Sequence, residues 1–244
     1  NFSLLIRMKK IFILSFFITL LSVPNYSQSN VWYTGADLSY FMPIGSLKDR
    51  FEPTTGYSFV FGKETSQDWI WFGKVEYFNF DKPNYDRLNV KRKFTVDGVE
   101  KQLSFPLSKL DMNLEIIGLS VNANVNYIRT EIFETNLNFG FGVYKWIGNR
   151  RDFIDSLFTK NAADSTLFVD YIDVPEKQQS DWSGGLNFGI ETSIKIYEPV
   201  WFTVGAQYKI VIGELWSALK IDLENVSTFQ MGEIRAGLRL KLDF

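Results

Sequence analysis

Ten charged residues stand at alternate positions inside stretches that are otherwise largely uncharged: Asp37, Lys74, Glu76, Glu134, Glu191, Lys195, Lys209, Arg235, Arg239 and Lys241. Both signs are present, so the set can pair internally, whereas a lining of one sign would select ions. Position suggests two partnerships. Glu134 and Lys195 both lie beside short turns, and Asp37 and Arg235 lie near the middle of the first and last periodic stretches. An Arg fork suits a carboxylate because it donates two parallel bonds.

Other chemistry is sparse. The chain has no His, the usual general base near neutral pH, and no Cys, which removes disulfides and thiolate metal sites. No Gly-x-Ser-x-Gly elbow, phosphate loop or metal-ligand spacing occurs. Asp152, Asp155 and Asp164 lack the Asp-x-Asp-x-Asp-Gly pattern of a calcium loop and fit a solvated segment. A Ser–Lys or carboxylate pair remains formally open. No catalytic, cofactor-binding or metal residue is assigned, and no enzymatic activity is expected.

The elements that must position these charges are strands. In residues 229–244 (FQMGEIRAGLRLKLDF), Ile234, Ala236, Leu238, Leu240, Leu242 and Phe244 alternate with Arg235, Gly237, Arg239, Lys241 and Asp243. A period of two puts each set on its own face of a strand. Seven earlier stretches behave alike: 31–42, 55–63, 69–80, 112–128, 132–146, 182–197 and 200–213. On the fourth to the eighth, the apolar-face positions 117–125, 133–143, 186–196, 202–212 and 234–244 carry no charge, and the other face holds Asn, Gly, Ser, Glu, Lys and Arg. Apolar outside and polar inside is the pattern of a transmembrane β-barrel. A soluble ligand-binding barrel would reverse it.

The connections alternate between longer and short, as expected for short periplasmic turns and longer external loops. The two longest are 81–110 and 147–180. Asp97-Gly98 marks a hairpin within the first. In the second, residues 151–160 could form a short amphipathic helix through Phe153, Ile154, Leu157 and Phe158. Loops this long are usually functional, so contact with a protein partner or with the cell exterior is expected there. Trp32, Trp69, Trp71, Tyr127, Tyr197, Trp201 and Phe244 fall beside short turns. Tyr40, Tyr77, Tyr144, Trp146 and Trp182 fall beside the longer connections. Two aromatic belts at two interfaces are expected.

Residues 1–28 form a leader. Met8-Lys9-Lys10 precede an apolar run at 11–23 and a polar exit, the layout of a secretory signal peptide. The run is short for a membrane-spanning helix; an uncleaved anchor is the other reading. The expected start is Met8, with cleavage near Ser27 and the barrel domain at 29–244. The leader holds three of the 26 basic residues and none of the 28 acidic ones. The remainder is net acidic, which argues against nucleic acid as a partner.

The leader, the segment GADLSYFMPIG at 35–45 running into LKDRF, the eight strands and the terminal Phe244 together resemble the small outer-membrane β-barrels of the Bacteroidetes type, on the general plan of the OmpX/OmpW and OmpA-barrel group. The resemblance is one of pattern over 29–244. It implies an all-β, eight-stranded antiparallel up-and-down transmembrane barrel in the outer membrane, in contact with outer-membrane lipid. It also implies that Leu240, Leu242 and Phe244 form the signal read by the outer-membrane assembly machinery. Enzymes of this shape use a catalytic His, which is lacking here. The expected role is structural or interactive, through the long loops. The alternative is passive transport of small molecules, apolar ones included. Eight strands leave an interior only wide enough for side chains, so a lumen of Asn, Gly and charges, closed by its own side chains, is expected.

Overall fold

The computed structural model describes residues 31–66, 68–96, 98–160 and 164–243. The leader at 1–28 and the terminal Phe244 of the expected assembly signal lie outside the described residues. In chain order the strands are β1 (Val31–Ile44), β2 (Thr54–Ser66), β3 (Trp69–Phe80), β4 (Asn89–Val96), β5 (Val99–Pro106), β6 (Met112–Arg129), β7 (Phe133–Arg150), β8 (Phe153–Lys160), β9 (Thr166–Val174), β10 (Lys177–Tyr197), β11 (Val200–Leu215) and β12 (Val226–Asp243). Eight of them close an antiparallel barrel in the order β1-β12-β11-β10-β7-β6-β3-β2. Each barrel strand thus pairs with the next barrel strand in sequence, and β1 meets β12 from Val31↔Asp243 to Ile44↔Gln230. No sheet edge is left along that seam.

Alternation decides which side chains face in. On β7 the outward Phe133, Leu137, Phe139, Phe141 and Val143 are exposed, while Glu134, Asn136 and Asn138 between them are buried. The outward face first meets a charge at Lys145. About ten steps of ~3.3 Å, tilted by ~40°, give an apolar belt ~25 Å tall, the height of a membrane barrel's lipid-facing band. The same parity corrects three aromatic assignments. Tyr144, Trp146 and Trp201 are buried and point inward. Tyr144 and Trp146 share the parity of Gly142 on β7, and Trp201 that of Gly205 on β11. Nearness to a strand end did not override the period of two.

The two long excursions are folded. β4 and β5 form one hairpin, turning at Gly98 with φ +79°. In the segment 151–160, whose spacing allows a short helix, Phe153–Lys160 is instead β8, paired with β9. The apolar spacing of Phe153 and Leu157 satisfies both a helical i, i+4 stripe and a period of two. The choice falls to cross-strand partners: Phe153 stands opposite Val174, and both are buried with Leu157 and Ile172.

The hairpins cap the barrel mouth. Leu88, Val90, Leu107, Leu110, Phe153, Leu157, Ile172 and Val174 join barrel-interior Phe41, Phe78, Tyr144, Trp146 and Phe229 in a single apolar cluster. The lumen is therefore not dominated throughout by Asn, Gly and charges. Its outer half is an aromatic and aliphatic core continuous with the cap. Arg50, in the β1–β2 connection, ties this core to the β11–β12 connection. It donates to the carbonyls of Trp216 at 3.3 Å and Glu224 at 2.5 Å. Burial pushes its guanidinium pKa down to about 10.

Candidate functional site: a lumen of stacked ion pairs

Below the apolar cluster the interior charges sort into three tiers, each with two acids and two bases. The deepest lies at the end with the short turns. Arg129 bridges Glu64 at 3.0 Å and Glu134 at 3.3 Å, and Lys241 reaches Glu134 at 3.0 Å. The Tyr33 hydroxyl donates to Glu64 at 2.8 Å. In the middle tier Arg239 meets Asp37 at 2.5 and 2.9 Å, and Arg235 meets Glu191 at 2.8 Å. Arg239 also approaches Glu191 at 3.5 Å, Ser58 donates to Asp37, Asn124 donates to Glu191, and Gln207 accepts from Arg235.

The third tier is the waist. Lys74 lies 2.9 Å from both Glu76 and Glu233, and Lys209 bonds Glu76 and lies 3.2 Å from Glu233. Ser39 and Gln207 also donate to Glu233. All four charged residues are at most 2% exposed. The Lys209 ammonium faces the apolar half as well, 5.2 Å from the Phe41 ring and 5.7 Å from that of Tyr144. That cation–π contact joins the ionic half of the lumen to the apolar half.

Two acids and two bases make each tier neutral. Buried charges without partners cost several kcal/mol each, so a filled lumen requires this local balance. Between the deepest and middle tiers is a cavity of about 30 Å³, bordered by Tyr33, Phe72, Asn136, Glu191 and Arg239. It has room for a water or two, not for a path.

Nine of the ten charges singled out in the sequence stand in these tiers, but both expected partnerships are different. Asp37 pairs with Arg239, not Arg235. On the β1–β12 ladder Asp37 faces Gly237, with Arg235 and Arg239 two steps to either side. Arg235 is held by Glu191 and Gln207, leaving Arg239 for Asp37. Glu134 pairs with Arg129 and Lys241, not Lys195. Lys195 sits two steps nearer the rim than Ser193, which faces Glu134 on the ladder, and bonds Glu198 at 2.5 Å, holding that carboxyl below its usual range. Glu233, Glu64 and Arg129 were missed. Glu233 and Glu64 share the parity of their strands' inward residues, a usable signal, whereas Arg129 looked like a turn residue. Leu240 and Leu242 lie on the outward parity of β12, with Leu240 exposed. Among the described residues there is no cluster of acids with metal-binding spacing.

No protein-family model matches the sequence, and no curated protein matches it. Solved structures do. A major outer membrane protein from Thermus thermophilus is similar over 87% of this chain and 99% of its own, at 9% identity and a TM-score of 0.52. Neisserial surface protein A covers 86% of this chain and 97% of its own, at 15% identity and a TM-score of 0.46. OprG of Pseudomonas aeruginosa, an outer membrane protein, covers 89% and 98%, at 11% identity and a TM-score of 0.43. The chain shares the closed antiparallel barrel fold of the Thermus outer-membrane protein.

Proposed function

We propose that this protein is an integral outer-membrane barrel with a structural or interaction role: a closed cylinder that holds a folded cap at the cell exterior. The observation that carries the reading is an interior filled along its length, interrupted only by a cavity with room for a water or two. Three neutral ionic tiers run into an apolar core shared with the hairpins, so the barrel and its cap form one packed body. Such a body suits a platform better than a passage. The apolar belt and the alternation of short turns with capped connections support placement in the outer membrane with the cap outside. On that placement Leu240, Leu242 and Phe244 serve the assembly machinery, and the segments at 81–110 and 147–180 meet a protein partner or the exterior. The outer face of the cap exposes Ile154, Phe158, Phe168 and Tyr171, side chains of the kind that interface centres use. No substrate or cofactor is required by this role.

Photo-crosslinkers placed at Phe158 and Tyr171 in intact cells test the reading, with Phe139 on the lipid belt as the control. Discrete protein adducts from the cap positions alone support it. Adducts from Phe139 alone, with none from the cap, overturn the assignment of the cap as the contact surface.

A further inference from the structure

The barrel wall has a recess between β10 and β11. These strands pair only as far as Gly185↔Val211. Beyond that point β10 continues to Lys177 against β7 alone, and β11 continues to Leu215 against β12 alone. Where they diverge, a space of about 820 Å³ opens in the outer surface of the wall. Its outer end is closed, because the Trp216 backbone N–H donates to Gln179 Oε1 at 3.1 Å and the Lys177 ammonium lies 3.8 Å over the Trp216 ring. Its back is also closed, by Trp146, whose indole N–H donates to Ser183 at 2.9 Å and whose ring packs on Phe229 in the apolar core. The space is a blind recess, not a route through the barrel.

Its lining is distinctive for the wall of this barrel. Ser180, Asp181, Ser183 and Glu214 offer hydroxyls and carboxylates. Asp181 accepts the Trp182 backbone N–H and Glu214 accepts from Asn225; each carboxylate retains further acceptor capacity. Trp182 is 65% exposed and Trp216 53%, and an indole offers a flat apolar surface with a polar edge. The diverging strand edges add backbone groups with no ladder partner across the gap. Flat apolar faces beside many hydroxyl partners suit a ligand with C–H faces and vicinal hydroxyls. The sign of charge narrows the class. Lys177 is drawn over Trp216, and Lys145 lies 5.8 Å from the Trp182 ring and 3.4 Å from the Ser180 hydroxyl. The charged residues that line the recess are the acids Asp181 and Glu214, which disfavour an anion. A peptide strand laid along β10 would run into Trp216 at Gln179.

We propose that this recess binds a neutral saccharide. Trp182 pairs with Lys145, the first charge above the apolar belt on β7, so the recess opens at headgroup height. A sugar there can come from an outer-leaflet glycolipid or from a free oligosaccharide. The binding does not depend on whether the lumen conducts or the cap holds a partner.

The test is intrinsic tryptophan fluorescence of the full chain in nanodiscs. One arm titrates soluble maltopentaose, mannopentaose and chitopentaose into phospholipid nanodiscs. The other compares nanodiscs made with and without purified lipopolysaccharide. A saturable change with a soluble sugar, weakened roughly tenfold or more by Trp182→Ala and by Asp181→Asn, assigns the recess to free oligosaccharides. A change seen only with lipopolysaccharide, and lost in the same variants, assigns it to glycolipid sugars. Both variants change exposed side chains, and heat-dependent gel mobility verifies that they fold. No change in either arm, or a change that persists in Trp182→Ala, overturns the proposal.

Discussion

Arg239 holds Asp37 with both terminal nitrogens, at 2.5 and 2.9 Å, across 202 residues of sequence. The two sit on the first and last barrel strands, which must meet for the barrel to close. Glycine makes the room: a Cβ on Gly237 would strike the Asp37 carboxylate, and one on Gly35 would come within 2.8 Å of Arg239 Cδ. Removing either partner strands a buried charge. Asp37→Ala and Arg239→Ala are each expected to destabilise by about 3–5 kcal/mol. The double variant should lose less than the sum of the two, because the pair acts as a unit. Urea unfolding in micelles, followed by tryptophan fluorescence, measures this. Strictly additive losses would refute the coupling.

The waist predicts electrical silence, and a particular way of ending it. Glu233 accepts from Lys74, Lys209, Ser39 and Gln207. In Glu233→Ala two ammonium groups face Glu76 alone, so the tier gains a net positive charge in the space the side chain vacates. Water and anions are expected to enter. Wild-type protein should give no steady openings in planar bilayers, and Glu233→Ala should leak with a preference for anions. Steady wild-type openings, or a cation-selective leak in the variant, would contradict the plug.

The outward face of β12 predicts a depth-dependent cost. Ile234 is exposed and pairs with Ala206 and Tyr40 within the belt, whereas Leu240 pairs with Val200, where β11 begins. Ile234→Arg should cost ~2–4 kcal/mol and Leu240→Arg ~0–1 kcal/mol. The inserted fraction, read from the heat-dependent gel shift, should fall accordingly. If Ile234→Arg inserts as well as wild type, that face does not meet lipid.

The period of two made the barrel legible, because each residue's face follows from its parity once one face must be apolar. That rule placed Lys74, Glu76 and Lys209 inside, and applied more strictly it would also have placed Tyr144, Trp146 and Glu233. It could not choose partners. Asp37 pairs with Arg239 because of what else holds Arg235, which is a fact of the closed ring and not of any single strand. Half of the cap was legible, since the Asp97-Gly98 turn marked the β4–β5 hairpin, but the other half was not. The β8–β9 pairing includes a segment, 151–160, whose apolar residues fit a helix equally well, and only the shared core beneath it decides. The recess beside β10 was hidden for a different reason: residues 177–181 are all polar, so no alternation shows that β10 runs on to Lys177 after its pairing with β11 has stopped.

The cap should open separately from the barrel, and Arg92 is where to open it. From β4 it bonds Asp170 on β9 at 2.7 Å, the Lys220 carbonyl, and at longer range Asp222 at 3.6 Å. It thereby joins both hairpins to the β11–β12 connection. The Arg92 hydrogen bond holds the Asp170 carboxyl below its usual range. A lowered acid contributes stability that is present above its ordinary pKa and lost as pH falls through the folded value. The pair is partly exposed, so its worth is at most ~1 kcal/mol, too little to shift barrel melting but enough to change how often the cap opens. Arg92→Ala at neutral pH should raise hydrogen exchange in β8 and β9 about fivefold and leave the barrel strands unchanged. Wild-type protein taken below the usual carboxylate range should come to resemble the variant, after correction for intrinsic exchange rates, while the variant itself changes little. Exchange that rises equally in β8–β9 and in β12 would show that cap and barrel open as one unit.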